Sequence, residues 1–341
     1  MKNKRIVGRA LVVGIVLAVI LNFITLPYYV TRPGYAQDLR PIVMVEDRFE
    51  DEGRFMLTTV KMSKANIFTY LMAKWDEYQY IYPLEQIRSE GETDQEYNHR
   101  QLYYMEDSKE TAIKVAYEKA DKEVNIISKG VYVLRTVANM PAADLLQIGD
   151  RIVEVDGIET PTSDIFMGLV GEKAVGDTLN VTFVRDDEVD TVPITLQPFP
   201  DEPERAGVGI QLVTDLEITT SPIVEIDSAK IGGPSAGLMF SLEIYNQLMD
   251  EDIAKGYKIA GTGTINQNGE VGRIGGAKQK VYAAHKSGVD YFFAPYENGA
   301  ENSNYNEAVA AAEDIGTKMV IVPVNTFDDA LNYLKDLQPN S

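Results

Sequence analysis

Residues 10–26 are an almost unbroken run of apolar side chains, and Pro27-Tyr28-Tyr29-Val30 extends it to 21 residues. As a helix that length spans roughly 30 Å, one hydrocarbon core. No polar face interrupts it, which disfavours a helix packed on a soluble body. Beyond residue 31 the pattern breaks into short pieces. Residues 41–46 and 54–62 alternate as two strands across an acidic turn at Asp51-Glu52-Gly53. Residues 65–74 and 83–88 predict short helices. Residues 95–123 predict a long polar one with a stripe at Tyr104, Ile113, Ala116, Tyr117 and Ala120. The aromatic cluster Trp75, Tyr78, Tyr80, Tyr82 is expected to pack an irregular loop against the body.

From residue 131 the period shortens. Val131-Tyr132-Val133-Leu134 reads as a strand, Ala142-Ala143-Asp144-Leu145-Leu146 as a short helix, and 149–157 as turn, strand and turn. A helix near 162–171 precedes two alternating strands, 178–184 and 190–196. The Pro-rich segment 197–203 closes this unit. Beyond it, strands at 207–214, 222–226, 259–265, 290–295 and 318–323 alternate with helices at 234–249, 276–287, 305–315 and 326–336. The fold class is mixed, α+β to α/β, in about two domains.

Net charge is −20, a surface that repels nucleic acid and anionic lipid, so no nucleic-acid role is expected. The absence of cysteine excludes disulfides and thiolate metal sites. No metal site and no cofactor are expected, and no Gly-x4-Gly-Lys-Ser/Thr loop offers a nucleotide site. Lys2, Lys4, Arg5 and Arg9 precede the apolar run, which keeps the N-terminus cytoplasmic and puts everything after residue 31 outside. A cleaved signal peptide is the rival, with small residues at Gly34-Tyr35-Ala36, although its apolar core is usually only ~7–15 residues long.

Gly232-Gly233-Pro234-Ser235-Ala236-Gly237 sets a serine at a glycine-rich helix entry. There, unpaired amides and the helix dipole can hold an oxyanion; equally, Ser235 can simply cap the helix. Lys280 falls beside the apolar stripe Ala277, Val281, Ala284, with Gln279 and Lys286 pointing away. Small neighbours and little water would depress its amine pKa, whereas a snorkelling surface lysine would keep it. With only two histidines, His99 and His285, a serine–lysine pair is the economical reading.

Gly233-Pro234-Ser235-Ala236-Gly237, Thr262-Gly263, Ile274-Gly275-Gly276 with Lys278 and Lys280, and Ala283-Ala284-His285 together resemble the Lon-type serine–lysine peptidase domain. The resemblance implies that Ser235 is the nucleophile and Lys280 the general base. It implies that Thr262 holds the lysine, that Gly233, Pro234 and Ala236 shape the serine loop, and that Lys278 is not catalytic. Many Lon enzymes carry an acidic residue three positions before the serine and another after the Thr-Gly pair; here these are Gly232 and Thr264.

Ala142-Ala143 with Leu145, Gly149-Asp150-Arg151-Ile152 and Val155-Asp156-Gly157 resemble a PDZ domain of the bacterial protease-associated type. The resemblance implies that extended peptides add a strand to its sheet, with Lys129-Gly130-Val131-Tyr132 as the carboxylate-binding loop. The expected organisation is a cytoplasmic tail 1–9, a transmembrane anchor 10–30, the first part of the peptidase domain 38–125, an inserted PDZ domain 126–198, and the proteolytic domain 204–338 with the dyad. That layout resembles the YlbL/SepM-like membrane-anchored bacterial proteases. It implies an ATP-independent serine endopeptidase, single-pass in the cell membrane with its catalytic domain extracellular, acting on exported peptides or small membrane-anchored proteins. The family's known tasks are trimming a peptide pheromone and clearing a division inhibitor. The expected partners are a substrate docked partly through the PDZ domain and lipid around 10–30. A non-catalytic PDZ scaffold binding exported peptide tails is the alternative.

Overall fold

The computed structural model describes residues 23–49, 52–88, 91–199, 202–228 and 231–340. In chain order these form β1 (Thr25–Asp38), β2 (Val43–Val45), β3 (Arg54–Asn66), α1 (Ile67–Ala73), β4 (Tyr80–Pro83), α2 (Leu84–Ile87) and α3 (Asp94–Lys119). The middle of the chain gives β5 (Glu123–Thr136), β6 (Arg151–Val155), β7 (Ile158–Glu159), α4 (Ser163–Gly171), β8 (Thr178–Arg185), β9 (Glu188–Thr195), β10 (Gln197–Phe199), β11 (Glu202–Gly207) and β12 (Ile210–Ser221). The last third gives β13 (Val224–Ile226), α5 (Gly237–Leu248), β14 (Lys258–Gly261), β15 (Thr264–Ile265), β16 (Val271–Gly272), α6 (Ala277–Lys286), β17 (Tyr291–Pro295), α7 (Asn304–Asp314), β18 (Val320–Val324) and α8 (Phe327–Asp336).

One six-stranded sheet, ordered β18-β17-β14-β3-β1-β4, draws strands from both ends of the described chain. Its β18-β17-β14-β3 half is parallel, and β1 runs antiparallel to β3 and β4. Neighbouring residues on a strand point to opposite faces. Thus Ile259 and Phe293 join α5 and α8 in one core, while Ala260 and Phe292 join α6 and α7 in another. All of α5 is buried, and its polar stripe Glu243, Asn246 and Gln247 is buried with it, Gln247 bonding Val43, Val45 and Glu243.

A second sheet, β12-β5-β6-β8-β9 with β7 on β6, surrounds its own core of Val131, Val133, Ile152, Phe166, Phe183 and Ile194. It is inserted between α3 and β13. Asp150 is buried there and held by Arg185, at 2.7 Å from Nε and 2.6 Å from the terminal nitrogen. This unit is longer than the expected 126–198. Its first strand begins at Glu123, and its edge strand β12 runs to Ser221, inside the range expected for the proteolytic domain.

Two other expectations change. The strand at 43–45 pairs with β13, and β3 pairs instead with β1. The expected anchor also ends too late. Thr25 to Val30 already belong to β1, with Val30 buried against α1 and Tyr29, on the other face, buried against Tyr97 and Arg88. A buried strand and the end of a span are equally apolar, so hydropathy cannot part them. Residues 1–22, which hold the rest of that run, lie outside the described residues. Among the described residues no helix is long and apolar enough to cross a membrane. Gly34-Tyr35-Ala36 lies within β1, where Ala36 pairs with Thr58, so a cut after Ala36 would remove most of an internal strand.

Candidate active site

The serine loop is folded by glycine and held by hydrogen bonds from two sides. Gly233 sits at φ +90°, a conformation costly for any residue with a Cβ. Its amide donates to the Gln101 carbonyl of α3 at 2.8 Å. Ser108, also on α3, donates to the Pro234 carbonyl at 3.2 Å. The Gly263 amide donates to the Ser235 carbonyl at 3.1 Å. Helix α5 then starts at Gly237, where a Cβ would stand 2.8 Å from the Ile265 side chain. Its N-cap is Ala236, with no side-chain capping bond, so Ser235 does not cap the helix.

The Ser235 hydroxyl instead meets Lys280. The Lys280 amine lies 2.7 Å from Ser235 Oγ and 2.8 Å from Thr262 Oγ1. Thr262 stands at the end of β14, its amide bonded to the Phe293 carbonyl at 3.0 Å. Its Oγ1 is also 3.1 Å from the Ser235 carbonyl, which can only accept. The threonine proton is therefore committed to that carbonyl, and Thr262 accepts from the lysine. One N–H of Lys280 is fixed in this way.

Lys280 is 3 % exposed, on α6 among buried Ala277, Val281, Ala283 and Ala284. Burial alone pushes its pKa down to about 7. Both hydrogen-bond partners of the amine are neutral hydroxyls. With Gly at 232, no carboxylate from that position opposes the effect of burial on the amine. Gly232 has little room for one, since a Cβ there would lie 3.0 Å from Gln101 Cβ. Lys278 faces elsewhere, 3.1 Å from Asp314 and over the Tyr78 ring, and its pKa is raised by that carboxylate. Gln279 does not point away from the body as expected. It is buried, donating to Thr31 Oγ1 at 3.1 Å and the Tyr78 carbonyl at 2.9 Å.

Ser235 and Lys280 open onto a cleft of about 670 Å³. Thr59 to Met62 of β3 form one wall, and Arg273-Ile274-Gly275 contribute to the lining. The ladder between β3 and β14 ends at Leu57 and Gly261, so beyond it β3 has a strand partner on its β1 side only.

The expected peptide loop is not where a peptide could add a strand. Lys129-Gly130-Val131-Tyr132 lie in β5, between β12 and β6, and Val131 and Tyr132 pair on both sides. The sheet ends in β12 and β9, and β12 is the edge that lies beside α4. Between it and α4 runs a groove of about 480 Å³, lined by Phe166, Met167 and Val170 and by Val208, Ile210 and Leu212. Sequence reading missed these residues; Gly207-Val208-Gly209-Ile210, with Gly209 at φ +81°, was the available signal.

Residues 227–335 match the Lon protease (S16) C-terminal proteolytic domain, and residues 106–196 match the PDZ domain. The Lon protease of Endomicrobium trichonymphae is 32% identical over 109 residues, covering 32% of this chain and 13% of that protein. For the Campylobacter concisus Lon protease the figures are 36% over 100 residues, 29% and 11%. The chain therefore spans only a small part of the length of these relatives. A PDZ domain of an SdrC-like protein from Listeria monocytogenes is 35% identical, covers 25% of this chain and 87% of that one, and has a TM-score of 0.23. Residues 227–335 are thus a serine peptidase domain of the Lon type, preceded in the chain by a PDZ domain.

Proposed function

We propose that this chain is a membrane-tethered, ATP-independent serine endopeptidase that uses Ser235 and Lys280 as a dyad. The observation that carries the reading is the buried amine of Lys280 bonded to the Ser235 hydroxyl at 2.7 Å. A lysine acts as a base only when neutral, and burial depresses its pKa to about 7. With one N–H fixed on Thr262, the lone pair of Lys280 takes the Ser235 proton as Oγ attacks the peptide carbonyl. The Lys280 ammonium then gives that proton to the leaving amine. Water hydrolyses the acyl-serine, with Lys280 again as base. The Ser235 and Ala236 amides, at the start of α5, are the donors for the oxyanion. A substrate strand fits the unpartnered edge of β3 over this site.

The groove between α4 and β12 supplies docking for an extended peptide. Lys2, Lys4, Arg5 and Arg9 before the apolar run favour a cytoplasmic N-terminus and an outward catalytic domain. The chain carries no phosphate-cradling motif, so its substrates are flexible: exported peptides, tails, or small membrane-anchored proteins, the range of the YlbL/SepM-like proteases it resembles. The deciding experiment compares secreted and membrane peptides from cells carrying the wild type and Ser235→Ala. Peptides that accumulate uncut only in the variant are the substrates; identical profiles, with both proteins present, sink the proposal.

A further inference from the structure

Phe68, Leu71, Met72 and Trp75 recur at the spacing i, i+3, i+4, i+7, one face of a helix. In a globular protein such a face is normally the buried one. Here α1 and the turn after it present it outward: Phe68 is 62 % exposed, Leu71 56 %, Met72 50 % and Trp75 94 %. The opposite side seats α1 on the body, where Ala73 is buried and the Tyr70 ring lies 5.1 Å from that of Tyr28. Trp75 therefore departs from the expected packing role.

The position of this face says what covers it. Asn66, the N-cap of α1, pairs with Thr25, the first residue of β1. Immediately before Thr25 come Phe23 and Ile24, also exposed, and before them the apolar run that begins at Ala10. Chain continuity thus holds the outward face of α1 beside the point where the apolar run enters the sheet. Lys74, at its border, holds its amine over the Tyr70 ring, 5.1 Å from the centroid.

We propose that α1 and Trp75 form a second membrane contact that lies in the lipid interface and fixes the orientation of the body. This rests on the tethered reading given above. A short helix with an aromatic and aliphatic face and an indole at its end suits the headgroup–acyl boundary. The contact also sets the reach of the enzyme. Met62, on the cleft wall, is four residues before Asn66 along β3, at most about 13 Å in an extended strand. The cleft then faces a zone close above the bilayer, and the substrate class is a membrane-anchored chain cut a few residues outside its span.

Trp75 is the single tryptophan of the chain, so its emission reports this site alone. The full-length protein is reconstituted into phosphatidylcholine vesicles with and without bromine on the acyl chains, and vesicle flotation is measured on the same sample. Blue-shifted emission, quenched by the brominated lipid and less so in Phe68→Ser/Leu71→Ser, is the expected result. A chain that floats with the vesicles yet keeps unquenched, water-exposed emission overturns the second contact while leaving the tether standing. A chain that does not float overturns both. Emission that shifts with protein concentration but ignores bromine assigns the face to a second copy and overturns the lipid contact. On an anchored substrate with a membrane-proximal cut site, Phe68→Ser/Leu71→Ser should lose activity severalfold, with a soluble peptide cut as before.

Discussion

The cleft at Ser235 and the groove at β12 are built on opposite principles. The cleft depends on buried polar atoms: a lysine amine, a threonine hydroxyl and a serine hydroxyl within 2.8 Å steps, enclosed by alanine and valine. The groove depends on an exposed strand edge beside apolar side chains, with φ-positive Gly209 at its start. The first has one workable arrangement, because each proton has one place to go. The second tolerates variation, because backbone bonds to an added strand do not read side chains. Substitutions should therefore act steeply and together in the cleft, and shallowly in the groove.

The sharpest way to break that contrast is to remove members of the proposed dyad. Ser235→Ala and Lys280→Met should each cut peptidase activity on the order of 10³-fold or more, with the double variant little worse than either single. Additive losses, or substantial activity in pure Lys280→Met, would mean that the two do not act as one unit. The same lysine ties activity to pH. Its folded pKa is about 7, against about 10.5 for an ordinary lysine, so activity should rise through an inflection near 7 as the amine deprotonates. Below pH 7 both folded and unfolded chains carry this proton; between about 7 and 10.5 only the unfolded chain does. The wild type therefore loses stability as pH falls across that window, and Lys280→Met escapes the loss. Its melting temperature should exceed that of the wild type by a margin that widens from pH 9.5 to pH 7 and then levels. A constant margin would place the amine in water.

Much of the cleft was legible in the sequence because its parts are local and stereotyped. A glycine-rich turn and Lys280 beside an alanine stripe announce their surroundings, and the family resemblance supplied Thr262 between them. The desolvation of Lys280 was readable from its small neighbours. The groove was misplaced because a free edge is a property of sheet order, not of a segment. Lys129 to Tyr132 reads as a plausible loop until β12, some eighty residues later, pairs across it. The end of the apolar run failed for a related reason. Leu26 and Val30 are apolar because β1 and α1 pack together, and no local signal separates that from lipid.

A smaller effect is expected one layer out. Thr262→Val keeps the shape and removes the hydroxyl that accepts from Lys280. The Ser235 carbonyl keeps the Gly263 amide, so the loop should hold. The loss should be roughly 10-fold to 100-fold in kcat, the rate equivalent of the ~1.5–3 kcal/mol of a hydrogen bond to a charged group. Thr262→Ser should restore most of it. Failure of the serine to rescue would assign Thr262 to packing instead of to orienting the amine.

The smallest effect belongs to the groove. Met167 lines it and is half exposed, so Met167→Glu can fold while placing a charge among apolar walls. An extended segment docking there should bind the carboxylate-bearing groove several-fold more weakly. The defect should appear in KM for a long substrate that spans groove and cleft, with kcat unchanged and a short peptide that fills only the cleft cut normally. Tyr103 of α3 stacks on Tyr132 at 5.1 Å and approaches the Thr214 carbonyl, while Gln101 and Ser108 of the same helix hold the serine loop. If Met167→Glu instead lowers kcat on the short peptide, the groove reaches the dyad through α3, and the two regions are one machine rather than a docking site beside a catalytic one.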